Sequence, residues 1–562
     1  MNKATTEAYL LANLHVLRLC VEGIPSHLEF PTVNQLFFDR CLSAVSKGCR
    51  ERKVCEDAQL QQSIDLYKSW RPIEYEPADT SYLSSGWMSA TAKMMAVNTN
   101  NALRQNFIPR FQRYLRLEYR WTKTEARDVV NRIIADTYDG SGGSNVILEY
   151  REEIPRPFSL TLEKPHLLIP LMFTFLKSFE AHHPVDVTNE NADPEIVKLL
   201  RLYTLLPHKS GFGLSYYKIN STGLRGLLLR AKDPNRTADG VPSQPVWGAD
   251  DGRVANEHWR QLFNFSAFET ENRKFAGEIS TDDKGVSILM KRNAVPSGLT
   301  SHQHASPSVG SRDSADEERW GLDPGRKDLF VATNQSGERA RCSSKQFYED
   351  ARYTESNKKM KVWLEKSHRV HDMIRNMPSM KTIQLHAVGS YVKFLIPRLD
   401  CLFGFYSAMR FRNLRFKRHV FRAKKLHGIC SQLTAVSKAN IIVGFGDWSN
   451  NDAEGLIKRS PSGPVQGLKR QLRRYCRVVD IDEYLTSQIH SNPFCHQRLT
   501  NQVSLMRLKD GSVRNKRVYS VLHCKFSGCG MTVNRNANAS ENMLLLLEAQ
   551  LESRGRPAVF SR

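Results

Sequence analysis

The chain has 562 residues, with 81 Lys and Arg against 58 Asp and Glu, giving a formal charge of +23 and a pI of about 9.6. That length allows about three or four domains, and a hydrophobic fraction of 40% is enough to fill cores. The charge points to a polyanionic partner, nucleic acid first, against the alternative of an ordinary basic soluble protein. No long apolar run marks a membrane span.

The opening "MNKATTEAYLLANLHVL" lacks the charged, apolar and small-residue regions of a secretory leader, so none is expected. Residues 1 to about 60 carry apolar residues at helical spacing, as in "EAYLLANLHVLRLCV". Residues 106–140 continue the helical pattern and mix Arg with aromatics. That mixture suits either stacking on nucleic acid or a solvated basic face. "HLLIPLMFTFLKSF" predicts a buried helix. From about 211 the pattern becomes short strands: "GLSYYKIN", "LRGLLLRAK", "FAGEIS" and "GVSILMKR". Residues 294–318 hold Ser, Pro, Gly and His with almost no large apolar side chains, which predicts a flexible linker. An α/β pattern follows, with strands at "RWGLD", "LFVAT", "ANIIVGFGD" and "CRVVDIDEY" and a basic helix at 410–425.

Asp323, Asp447 and Glu483 each end a short apolar strand. Strand-end acids in an α/β sheet can meet on one rim. Two or three carboxylates there suit Mg²⁺, whose chemistry serves phosphodiester cleavage. Singly, each acid is equally well a turn residue.

The eleven cysteines are scattered, which suits thiols and one metal site better than a disulfide framework. Cys524 and Cys529 form one half-site, and His490 and Cys495 offer another with the same spacing. Four such ligands suit structural Zn²⁺. His496 competes with His490, and two idle thiols remain the alternative. Close behind, "VNRNANASEN" puts four Asn within nine residues at the start of an apolar helix.

The segments "GLDPGRKDLF", "VGFGDWS", "LKRQLRRYCRVVDIDEYLTS", Cys-x4-Cys and "VNRNANASEN" occur in this order. As a set they resemble the Fanzor proteins, eukaryotic relatives of the TnpB nucleases of bacterial transposons. The resemblance covers 320–562, and more faintly 211–293 through "EISTDDKGVSI".

The resemblance implies a multidomain α+β protein. Residues 1–210 would be a mainly helical recognition region, 211–293 a wedge-like β-barrel domain, and 319–562 a RuvC-like, RNase H-type nuclease domain with a zinc-ribbon insertion at 486–533. It implies an RNA-guided, Mg²⁺-dependent DNA endonuclease that binds a transposon-derived guide RNA and double-stranded DNA beside a short flanking motif. A monomeric protein in a nuclear ribonucleoprotein is expected, and "NKKMK" and "RAKK" could serve as entry signals.

By the same resemblance Asp323 and Glu483 are catalytic acids, with Asp447 a secondary candidate. Asn536 stands where the family has a third Asp, so impaired cleavage is expected; equally, Asn536 is a good helix cap. His490, Cys495, Cys524 and Cys529 would hold Zn²⁺, although the family's first half-site is Cys-x2-Cys and here Pro493 occupies the second place. Arg410, Arg412, Arg415, Lys417 and Arg418 would contact nucleic acid. The alternatives are an inactive RNA-guided DNA-binding protein and a guide-free RNase H-fold transposase.

Overall fold

The structure, a computed structural model, describes residues 1–23, 30–47, 57–80, 85–137, 145–183, 199–208, 211–231, 252–292, 317–434, 440–447, 463–507 and 512–561. The expected linker lies almost wholly outside these residues. The protein is mixed α+β with several small sheets. No helix among the described residues is long and apolar enough to cross a membrane.

The chain forms two compact units. The first comprises Met1–Asn293 and Trp363–Asn413, the second Ala294–Val362 and Leu414–Arg562. The first unit is mainly helical, and its helices start where the sequence supplies caps. The Asn34 side chain accepts from Phe37 N–H to open Gln35–Val45, and Asp57 accepts from Leu60 N–H to open Ala58–Ser69. Thr122 and Glu125 form a capping box on Lys123–Ile134. A two-residue parallel pair, β1 (Ser46–Lys47) with β2 (Ala78–Asp79), ties two of the connections together.

Phe107, Phe111 and Tyr114, from the Arg/aromatic segment, are buried. Phe111 stacks on Phe175 at 5.0 Å, and the Arg110 guanidinium lies 3.6 Å from the centre of the Tyr203 ring. Much of that mixed segment is therefore core, and these rings offer no stacking platform. The buried helix expected over "HLLIPLMFTFLKSF" runs Ile169–Ala181, preceded by a 3-10 turn at Pro165–Leu168.

The small sheet of the first unit is β3 (Tyr217–Asn220), β4 (Arg273–Thr281) and β5 (Val286–Arg292), antiparallel throughout. "LRGLLLRAK", expected as a strand, is instead part of the helix Ser221–Ala231. The Asn220 side chain accepts from Gly223 N–H and turns the chain out of β3, and Leu224 joins buried Trp259, Phe265, Phe275 and Ile279. An apolar run without alternation fits either state, and the cap decides it.

Trp363–Asn413 also differs from expectation, because it joins the first unit and not the rest of 319–562. The reason is its apolar faces: Val388, Val392, Leu395, Leu399 and Leu402 are buried in the first unit's core.

The second unit is built on a five-stranded sheet. β6 (Glu317–Pro324), β7 (Asp328–Asn334) and β8 (Arg339–Ser343) form antiparallel hairpins. β9 (Asn440–Gly446) lies parallel to β6, and β10 (Arg477–Ile481) parallel to β9. The order is β10-β9-β6-β7-β8, so the first strand is central.

Side chains alternate between the two faces. Trp320, Leu322, Val443 and Phe445 pack on one side with Leu426, Ile429 and Leu433 of the helix Met409–Thr434 and with Leu468 and Leu472 of the helix Val465–Leu472. Ile442 and Ile481 face the other way, onto Met543, Leu546 and Leu547 of the final helix Arg535–Leu551. At Gly321 the helix lies directly on β6, where a Cβ would collide with Ser540 O and Leu544 N. β11 (Thr500–Arg507), β12 (Val513–His523) and β13 (Thr532–Asn534) form a second antiparallel sheet between β10 and the final helix.

Candidate functional site

Asp323 lies on the face of β6 shared with Gly321, two residues further along, and so faces the side covered by the final helix. Its carboxyl is held well above the usual carboxylate range, first by burial, next by the Glu483 charge and then by Asp328, with Arg535 pulling the other way. It makes no hydrogen bond or ion pair among the described residues.

Glu483 follows β10, and its carboxylate lies over Gly446, where a Cβ would collide with Oε1 and stand 2.8 Å from Pro324 Cδ. The glycine at the end of β9 thus leaves space that the carboxylate fills. Asp447 does not join this group. It is exposed just past β9, with its N–H on Ile481 O at 3.1 Å, and its side chain makes no hydrogen bond or ion pair among the described residues.

Asn536 belongs to the cluster but is not the helix cap. Asn534 caps, accepting from Asn536 N–H at 3.1 Å and Ala537 N–H at 3.2 Å. The Asn536 amide is left to donate to Asp328 Oδ2 at 3.1 Å. Asp328 is therefore a fourth member of the site, and sequence reading did not single it out. Its signal was faint: one acid among the turn residues "PGRKD" that lead into β7.

Arg535 supplies the nearby positive charge. It donates to Ser487 Oγ at 3.1 Å and its guanidinium lies 5.2 Å from the Tyr519 ring. Asp323, Glu483 and Asp328 thus lie near one Arg, while the group of donor atoms close enough to hold a metal among the described residues is the Cys/His set.

The second constellation is complete in itself. The ligand atoms of His490, Cys495, Cys524 and Cys529 all lie within 4.8 Å of one another. Cys495 Sγ is 3.9 Å from Cys524 Sγ, and Cys529 Sγ is 3.5 Å from His490 Nδ1. Zn–S bonds of about 2.3 Å and Zn–N of about 2.0 Å put tetrahedral neighbours roughly 3.5–3.8 Å apart, so these spacings fit. The 2.8 Å from His490 Nδ1 to Cys495 Sγ is tighter and would open on binding.

His490 and Cys524 are buried. The Met531 N–H lowers the Cys529 thiol pKa, whereas burial raises that of Cys495. His496, the competing imidazole, stays outside the cluster with its ring beside Phe560. A Cys₃His set of this kind could hold a metal ion such as zinc.

The basic residues are dispersed along Met409–Thr434, which crosses the division between the units at Asn413. Arg410 packs over Trp363 and Phe405 at 5.0 and 5.1 Å, and Arg412 pairs with Asp283. Arg418 lies 5.5 Å from the Tyr353 ring, and Lys417 is exposed. Arg415 is part-buried and already has a partner.

Compared with known proteins, the sequence is matched by no family model and by no curated protein.

Proposed function

We propose that the protein is an RNA-guided DNA endonuclease of the Fanzor type, with its nuclease centre at Asp323, Glu483, Asn536 and Asp328. The observation that carries the reading is the placement of Asp323 on the central first strand of a β10-β9-β6-β7-β8 sheet, with Glu483 beside it past β10. The Cys/His cluster between Glu483 and the final helix supports the same reading, and a guide-free transposase gives no account of it.

Asp323 and Glu483 would hold Mg²⁺, which supplies charge stabilisation and an activated water in phosphodiester hydrolysis. Arg535 puts a positive charge near Asp323 that would stabilise negative charge on a bound phosphate. Asp328 and Asn536 fix each other at the rim. The net charge of +23 suits a guide–target heteroduplex recognised through its backbone, with a short flanking motif read on the duplex. A nuclear, monomeric protein bound to one guide RNA is part of this proposal.

The amide at 536 favours a second reading, an RNA-guided DNA-binding protein that cleaves slowly or not at all. One experiment decides between them. RNA that co-purifies with the protein is sequenced, and a plasmid carrying the matching target is incubated with the complex in Mg²⁺. Guided cleavage supports the nuclease, and target binding without cleavage supports the second reading. Absence of a defined bound RNA overturns both.

A further inference from the structure

We infer that Asn538 and Asn542 are positioning residues that join the Cys/His cluster to Glu483, so that metal in the cluster holds the Glu483 carboxylate in place. The inference rests on the nuclease reading only for what Glu483 does.

The segment Glu483 to Ser491 carries the two groups at its ends. Glu483 is at its start and the ligand His490 near its close. Inside it, Thr486 N–H and Thr486 Oγ1 both bond to Glu483 O, at 3.1 and 2.9 Å, and Ile489 N–H bonds to Leu485 O at 3.1 Å. Leu485 sits at φ 62°, a conformation disfavoured for a branched side chain. The turn is thus tight and needs outside support.

That support comes from one helix face. Asn538 Nδ2 donates to Thr486 O at 3.2 Å and to Ile489 O at 2.7 Å. Asn542 Nδ2, one turn on, donates to the same two carbonyls at 2.8 Å each. Each amide nitrogen has two hydrogens and each carbonyl two lone pairs, so every donor and acceptor in this square is used. Asn538 Oδ1 also accepts from Ser491 N–H at 2.8 Å, and Ser491 Oγ donates to Glu541 Oε2 at 2.5 Å. Asn538, Asn542, Thr486 and His490 are all at most 2% exposed. In so dry a place these bonds resist local opening.

The geometry sets a ranking. Asn538 makes three bonds, whereas Asn542 makes two and leaves its Oδ1 buried without a partner. Asn538 should therefore matter more. Because the coupling is thermodynamic, it runs both ways: loosening the turn weakens metal binding, and removing metal loosens the turn.

The test uses the full chain. Amide hydrogen exchange over 483–491 is followed with metal bound and after chelation, in the parent and in Asn538→Ala, Asn542→Ala and the double variant. Co²⁺ binding is titrated through its thiolate absorption. Chelation and the double variant should each speed exchange of this segment by about tenfold, with protection of Arg535–Leu551 retained as a control against global unfolding. Co²⁺ affinity should fall about tenfold in the double variant, and more in Asn538→Ala than in Asn542→Ala. In guided cleavage the Asn variants should keep target affinity while the rate falls.

Exchange over 483–491 that is identical with and without metal overturns the inference, as does a protein that binds no Co²⁺. If the protein cleaves no DNA at all, only the nuclease reading falls, because the exchange and Co²⁺ measurements do not depend on it.

Discussion

Asn536 donates its side-chain amide to the Asp328 carboxylate across 3.1 Å, so an uncharged residue at the rim of an acidic cluster is a working hydrogen-bond donor. Asn536→Asp would replace that donor with a like charge. Without divalent ions at neutral pH the variant should lose about 1–2 kcal/mol of stability, from the lost bond and from repulsion. Millimolar Mg²⁺ should restore its melting temperature, and guided cleavage should exceed the parent's by at least about tenfold. A melting temperature indifferent to Mg²⁺ would mean that no cation site adjoins position 536.

One zinc per chain is expected in protein purified without chelator, and none when Cys524 and Cys529 are both replaced by Ser. Inductively coupled plasma analysis checks this. Because binding energy at such a site is folding energy, the Ser variant should also melt earlier over β11–β13.

Gly321→Ala should destabilise the second unit by about 2–3 kcal/mol or more, since the methyl group meets helix backbone and no side chain that could swing aside. Chemical denaturation followed by tryptophan fluorescence reads it, because Trp320 lies next door. A loss under roughly 0.5 kcal/mol would refute the close packing of helix on strand.

His15 gives a pH signature to the first unit. Burial pushes its imidazole down to about 4, with Arg18 adding to the effect and Asp57 opposing it. A depressed imidazole means that the folded state binds fewer protons than the unfolded chain. Its stabilising contribution is therefore complete above pH 6.5 and is lost as the pH falls toward about 4. The full effect is roughly 3 kcal/mol. Urea midpoints measured across that window should fall in the parent and fall less in His15→Gln.

The basic helix separates into different expectations. Arg412 is committed to Asp283, so Arg412→Ala should cost stability with little change in nucleic-acid affinity. Lys417 is exposed, and Lys417→Ala should lower the salt slope of RNA or DNA binding by about 0.9 if it meets one phosphate. Equal slopes in parent and variant would make Lys417 part of a solvated face.

Much of the second unit was legible because its strands are short apolar runs bounded by turn residues, as in "ANIIVGFGD" before β9's end and "CRVVDIDEY" around β10. The two Cys/His half-sites were visible in the spacing, since each is local in sequence, but spacing alone left zinc level with two idle thiols. Choosing His490 over His496 needed the fold, as did recognising Asn534 and not Asn536 as the cap. Asp328 and the Asn538–Asn542 square were out of reach for a shared reason. Their partners lie 208 and about fifty residues away, and no local pattern encodes such contacts. Helix Ser221–Ala231 was misread as a strand because a run of Leu has no period until its cap is seen.

The interrupted path of the first unit has a consequence for synthesis. Its core includes Val388, Val392 and Leu399, which leave the ribosome well after Asn293. At ordinary translation rates that delay is on the order of ten seconds. During it the emerging N-terminal helices display unfilled apolar surface, and the nascent chain is a natural client for a chaperone that binds such surface and lets go only when the late helices arrive.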